Sequence, residues 1–275
     1  MIDWEHLIRS AAGVLCNAGM GTGICLGFFC CLLVGAFLLQ QVTGSLFEKL
    51  FSLLGRGGIF WAFPGVVIHE TGHLLFCLLF HHRIVKVDFF KPEKDGTLGK
   101  VQSVWDKKSF FQRAGQFFIG IGPIILGTAL ISCCTAWLLP EVWQKLTLQH
   151  FETWRDLAPG IFVLAGRMFR TLFCAALWCK WQTWLWLVIT LMIGTTVTLS
   201  KEDLKGVFWG IVFVPLILFV LNLLLGIFCD PELLFRYASA FCGCLLAIML
   251  FLFLILFSCR LLLCFPLFQK EERKR

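Results

Sequence analysis

Apolar runs long enough to cross a bilayer alternate with short polar segments along nearly the whole chain. They fall at about 12–39, 58–80, 114–139, 181–199, 207–229 and 238–268. Each is close to or above the roughly 20 residues a helix needs to cross the hydrocarbon layer. The pattern predicts an all-α polytopic membrane protein with about six transmembrane helices.

The polar segments differ in kind. Residues 40–57 are a connection carrying Glu48, Lys49 and Arg56. Residues 81–113 form the longest charged stretch and have strand character: 84–90 alternates in part, Asp95 and Gly96 supply turn chemistry, and 98–105 offers a second strand. A small β-hairpin is expected between the second and third spans. Between 140 and 180, Ile161, Leu164, Ala165, Met168, Phe169, Leu172, Phe173 and Ala176 share one helical face, with Arg167 and Arg170 on another. That is an amphipathic helix suited to lying in the membrane interface. Trp178, Trp181, Trp184 and Trp186 then read as an interfacial aromatic belt. Gly19, Gly23 and Gly27 in the first run, and Gly115, Gly120, Gly122 and Gly127 in the third, predict close helix approach. Pro215 and Asn222 interrupt the fifth run, Arg260 is placed to snorkel, and 269–275 is a charged tail.

Composition agrees. Of the 275 residues 59% are hydrophobic and only 15% charged, against about a quarter charged in soluble domains. The net charge of +7 is no nucleic-acid signal, because Lys and Arg sit between apolar runs. The bilayer is the expected partner, and no nucleic acid is. Residues 1–10 lack the basic start of a secretory signal, so the first run is expected to be an anchor. Six spans put both termini on one side, which collects sixteen of the 24 Lys and Arg. Positive charge then places the termini in the cytoplasm, with a bacterial cytoplasmic membrane as the expected location. The fourteen cysteines lie mostly in apolar runs and form no C-x-x-C pair, so no zinc ribbon or disulfide framework is indicated.

The second run carries the chemistry. It contains His69-Glu70-Thr71-Gly72-His73, an H-E-x-x-H motif. On a helix, His69 and His73 lie on one face and can both reach one Zn²⁺, with Glu70 beside them as general base. The same five residues could be a polar patch on a solvated helix. Apolar flanks count against that, since a charge at the centre of a membrane helix costs about 2.5–3.5 kcal/mol on insertion scales. His81 and His82 leave this face and are not expected to be ligands.

A hydrolytic zinc usually takes three protein ligands. In the six-span topology His73 lies in the cytoplasmic half of its helix. The loop carrying Glu202 and Asp203 is on the same side, at the start of the fifth span. Asp203 is the expected third ligand and Glu202 the alternative.

Residues 63–73, F-P-G-V-V-I-H-E-T-G-H, together with F-F-I-G-I-G-P at 117–123, resemble the site-2 protease class of intramembrane zinc metalloproteases. The resemblance covers about 58–206. It implies His69 and His73 as ligands, Glu70 as base and an Asp ligand carried onto Asp203, with a membrane-protein or peptide substrate. The family commonly reads Asp-Gly after an Asn/Pro element, where this chain reads Ser200-Lys-Glu-Asp-Leu-Lys-Gly206; no segment resembles a PDZ domain. The implied organisation is an N-terminal anchor and connection (1–57), a metalloprotease core (58–206), and C-terminal helices with a basic tail (207–275). Two rival readings remain open. One is a membrane protease resembling the CaaX-processing class, with Glu202 or Glu232 as third ligand. The other is a non-catalytic scaffold or zinc-binding protein that keeps the motif.

Overall fold

The second apolar run folds as one 23-residue helix, α1 (Gly57–Leu79), in a computed structural model of the chain. The structure describes residues 57–93, 97–145, 154–196, 200–211, 213–228 and 246–261, with scattered helical positions between 12 and 42 and at 243–244. At about 1.5 Å per residue, α1 is some 35 Å long, enough to cross ~30 Å of hydrocarbon. Its end is built by two backbone hydrogen bonds, His82 N–H to the Cys77 carbonyl (2.8 Å) and His81 N–H to the Leu78 carbonyl (3.1 Å). His81 takes the left-handed conformation (φ 56°) that this helix stop requires.

The chain then turns into strand β1 (Arg83–Asp88), which pairs antiparallel with β2 (Lys100–Val104). The register sets Arg83 against Val104 and Val87 against Val101, with an irregularity between Ile84 and Lys86. Two further bonds, Lys91 N–H to the Leu98 carbonyl and Glu93 N–H to the Thr97 carbonyl, carry the pairing toward the turn. The hairpin expectation holds; Asp95 and Gly96 lie outside the described residues.

Helix α2 (Phe110–Leu138) starts at Ser109, whose hydroxyl accepts the Gln112 N–H. It passes α1 almost backbone to backbone. A Cβ on Gly72 would fall 2.6 Å from the Pro123 nitrogen, and one on Gly122 would fall 2.7 Å from the Gly72 carbonyl oxygen. Short helices α3 (Pro140–Trp143) and α5 (Ala175–Trp178) flank α4 (Trp154–Leu172). After these come α6 (Trp181–Gly194), α7 (Lys201–Ile211), α8 (Val214–Phe228) and α9 (Leu246–Leu261). Helices α6 and α7 both pack on α2, and α6 also touches α1. The main core is shared by Ile124, Leu164, Met168, Trp186, Ile193 and Phe251.

The protein is therefore mostly helical with one small antiparallel sheet, and two described helices, α1 and α2, are long and apolar enough to cross a membrane. The later runs differ from their sequence reading. The run expected at 181–199 ends as a helix at Gly194 after 14 residues, about 21 Å by helical rise. The run expected at 207–229 is divided between α7 and α8. Pro215 explains the division, because it has no N–H to continue α7 and is tolerated in the first turn of α8. The described parts of the first and sixth runs are helical, but both termini lie outside the described residues.

Three smaller expectations change. Gly19, Gly23 and Gly27 face open space, and Gly21 instead sits against the Asn222 side chain. The amphipathic helix is present, with Leu164, Ala165, Met168 and Leu172 buried and Arg167 and Arg170 exposed, but it stops before Phe173. Trp186 is no part of an aromatic belt. It is fully buried, and its indole N–H donates to the Thr135 hydroxyl (2.8 Å), while Trp181 and Trp184 are exposed. On α6 the inward face is Thr183, Trp186, Thr190 and Ile193, the three-to-four spacing of a helix.

Candidate metal centre

His69 and His73 stand one turn apart on α1 with their Nε2 atoms 3.1 Å from each other. Gly72 between them lets α2 come close enough for its backbone to reach an imidazole. The Nδ1 of His73 lies 2.8 Å from the Ile119 carbonyl oxygen on α2. The Nδ1 of His69 lies 3.0 Å from the Thr196 carbonyl oxygen, just beyond the end of α6. A carbonyl only accepts, so each Nδ1 carries the proton. In the neutral rings each Nε2 is then a bare lone pair, and both aim at the same point.

The third group comes from α7. Asp203 Oδ1 is 3.2 Å from His73 Nε2, and Oδ2 is 3.9 Å from His69 Nε2; all three side chains are largely buried. Asp203 sits not in a loop, as the sequence suggested, but in the first turn of α7. Its Oδ2 accepts the Ser200 N–H (2.7 Å), and its own N–H donates to the Ser200 hydroxyl (3.1 Å). This reciprocal pair caps the helix and holds the carboxylate toward the histidines. Gly120 lets α7 approach, since a Cβ there would fall 2.8 Å from the Asp203 carbonyl oxygen. Glu202, the alternative third ligand, is exposed. Glu232 lies outside the described residues.

Two imidazole lone pairs and a carboxylate thus converge with no hydrogen-bond donor among them. Left alone they repel; a cation among them satisfies all three. The spacing suits one. Ligands about 2.0–2.1 Å from a tetrahedral zinc stand roughly 3.3 Å apart; the two Nε2 atoms are 3.1 Å from each other, and one ligand atom from each of the three residues lies within 4.8 Å of the others. His69, His73 and Asp203 could hold a metal ion.

Glu70 is buried beside this cluster, and the N–H of Val101 on β2 donates to its carboxylate. The edge of β2 that is not paired with β1 therefore faces Glu70. Gly99 completes the approach, with room for no side chain between the strand, Glu70 and Val66. The hairpin is fixed at its root by His82, whose Nε2–H donates to the Gln112 carbonyl (2.9 Å) while its ring stacks on Trp105. Burial holds the His82 imidazole below the ordinary histidine range. Its ring is bonded to α2, and it is not part of the His69–His73–Asp203 group, as its sequence position suggested.

The sequence pointed to a strand edge in the 84–105 hairpin but not to its contact with Glu70, nor to the carbonyls of Thr196 and Ile119, because backbone groups carry no residue signature. Comparison with protein-family models, with curated proteins and with solved structures finds no match for this chain.

Proposed function

We propose that this chain is a membrane-embedded zinc metalloprotease that hydrolyses peptide bonds in or near the bilayer. The observation that carries the reading is the donor-free convergence of His69 Nε2, His73 Nε2 and the Asp203 carboxylate beside Glu70. Nitrogen and carboxylate donors at this spacing favour zinc, and three protein ligands leave a position for water or substrate, as in hydrolytic sites. Zinc bound there supplies positive charge that polarises a carbonyl and makes water a better nucleophile near neutral pH.

The remaining work belongs to the protein. Glu70 takes a proton from the attacking water and returns it to the leaving amine nitrogen. The Thr196 and Ile119 carbonyls keep both imidazoles in the orientation and tautomer that present Nε2. A substrate helix must unwind to be cut, and the edge of β2 not paired with β1, beside Glu70, offers backbone partners to an extended segment. The substrate is accordingly a membrane protein or peptide with an extended stretch at the depth of α1.

The membrane setting is supported by α1 and α2, whose outward faces are apolar: Phe60, Leu75, Leu79 and Trp137 are each well exposed. A polytopic arrangement of about six spans with both termini in the cytoplasm remains part of this proposal. So does placement in a bacterial cytoplasmic membrane.

The deciding experiment uses the Glu70→Gln variant of the full chain in detergent or vesicles. Zinc stoichiometry should be unchanged while cleavage of a co-reconstituted substrate stops. Persistent cleavage would remove Glu70 from the mechanism. Zinc bound by wild type and variant alike, with no cleavage by either of any candidate substrate, would favour a non-catalytic zinc-binding protein.

A further inference from the structure

The hydrogen bond from His73 to Ile119 requires a carbonyl that the helix does not use. Inside an α-helix each carbonyl accepts from the N–H four residues on, so Ile119 would ordinarily be paired with residue 123. Residue 123 is proline, lies within α2, and has no N–H to give. The Ile119 carbonyl is left to accept the Nδ1 proton of His73 at 2.8 Å. The close crossing at Gly72, Gly122 and Pro123 brings that oxygen within reach. His69 obtains the same arrangement by another route, since the Thr196 carbonyl lies past the end of α6, where helix carbonyls lack intrahelical partners.

We infer that Pro123 is a positioning residue for the metal centre: by leaving the Ile119 carbonyl unpaired, it fixes His73 in the tautomer whose Nε2 faces Asp203 and His69. This deepens the metal reading and rests on it for the consequence, though the tautomer can be observed without metal. Pro64 provides an internal contrast. It also lies inside a helix and frees the Phe60 carbonyl in the same way, but Phe60 lies two turns or more from the histidines.

Pro123→Ala returns an N–H to position 123, and the intrahelical bond should reclaim the Ile119 carbonyl. Alanine also favours the helix interior over proline, so loss of this proline should not by itself lower stability. A packing role would instead lower stability and metal affinity together.

The test is ¹⁵N-histidine NMR of the full-length, metal-free protein, with His73 assigned by loss of its signals in His73→Gln. Zinc affinity is then measured by chelator competition and thermal unfolding by the apoprotein midpoint. His73 in the wild type should show a protonated Nδ1 and a bare Nε2. In Pro123→Ala that signature should be lost or mixed, and zinc affinity should fall about 10- to 100-fold, as for other partners of ligand histidines. The unfolding midpoint should not fall, and Pro64→Ala should bind zinc like wild type. A wild-type His73 protonated on Nε2 overturns the inference whether or not any variant folds. So does a Pro123→Ala protein with unchanged tautomer and zinc affinity. If wild type shows the expected tautomer but takes up no zinc, the metal reading fails and the role of Pro123 in setting the tautomer stands.

Discussion

Gly99 lies directly against Glu70: a Cβ built on Gly99 would stand 2.8 Å from Glu70 Cγ and 2.9 Å from Val66 Cγ1. The hairpin and Glu70, the proposed general base, are thus in contact through a position that tolerates no side chain. Gly99→Ala should displace the strand or the carboxylate and lower cleavage at least tenfold. Zinc affinity should stay near wild type, because His69, His73 and Asp203 are untouched. Parallel cleavage and chelator-competition assays check both halves.

The two adjacent acidic residues of α7 should behave differently. Asp203→Ala removes the proposed third ligand and should weaken zinc binding by two orders of magnitude or more, whereas Glu202→Gln should leave it unchanged. Asp203 also accepts the Ser200 N–H in the capping box of α7, so part of any stability loss is a capping effect. Asp203→Asn retains an acceptor for the cap and separates the two contributions. Stripping zinc from the wild type should lower its unfolding midpoint, and the shift should be absent in Asp203→Ala.

The crossing of α1 and α2 predicts a stability contrast between glycines. Gly72→Ala would force a methyl to 2.6 Å from the Pro123 nitrogen, and overpacking of this kind costs about 1–3 kcal/mol. Gly19→Ala meets nothing within 4 Å, so it should be neutral or stabilising by up to about 1 kcal/mol. Thermal unfolding in one detergent compares them.

Trp186→Phe should destabilise the fold by about 1–2 kcal/mol, through loss of the indole bond to Thr135 and of part of the packing against Phe251. The exposed Trp181→Phe should change stability by less than about 0.5 kcal/mol. The same unfolding assay reads both.

His82 gives a pH dependence of known sign. Burial lowers its folded pKa, its largest influence, while the bond to Gln112 opposes that shift. The unfolded chain therefore takes up the proton first as pH falls. The stability linked to neutral His82 is complete above the ordinary histidine pKa of about 6.5 and is lost progressively below it. Unfolding midpoints of wild type and His82→Gln across pH 5 to 8 check this; the variant should show a shallower decline.

Much of the protein was legible in its sequence because the deciding pattern was local. Partial alternation at 84–90, turn chemistry at Asp95-Gly96 and a second strand-like stretch at 98–105 pointed to the hairpin, and the 3.6-residue period of Leu164, Ala165, Met168 and Leu172 to the buried face of α4. The four-residue step from His69 to His73 put both imidazoles on one side of α1. Such patterns identify which residues share a face, since periodicity is a property of the element alone.

What faces what was decided by tertiary structure. Asp203 and not its neighbour Glu202 reaches the histidines because successive helical residues point about 100° apart and α7 docks on α2 in one phase, set by Gly120. Trp186 is buried and Trp184 exposed for the same kind of reason. The acceptors for His69 and His73 are main-chain carbonyls 127 and 46 residues away in sequence, and their use depends on where α6 ends and where α2 contains a proline. The sequence by itself determined the two histidines, the glutamate and the apolar helix that carries them. Only the packing of α1, α6 and α7 on α2 decided which carboxylate joins them, because the depth and rotation of each helix are fixed by contacts between residues far apart in the chain.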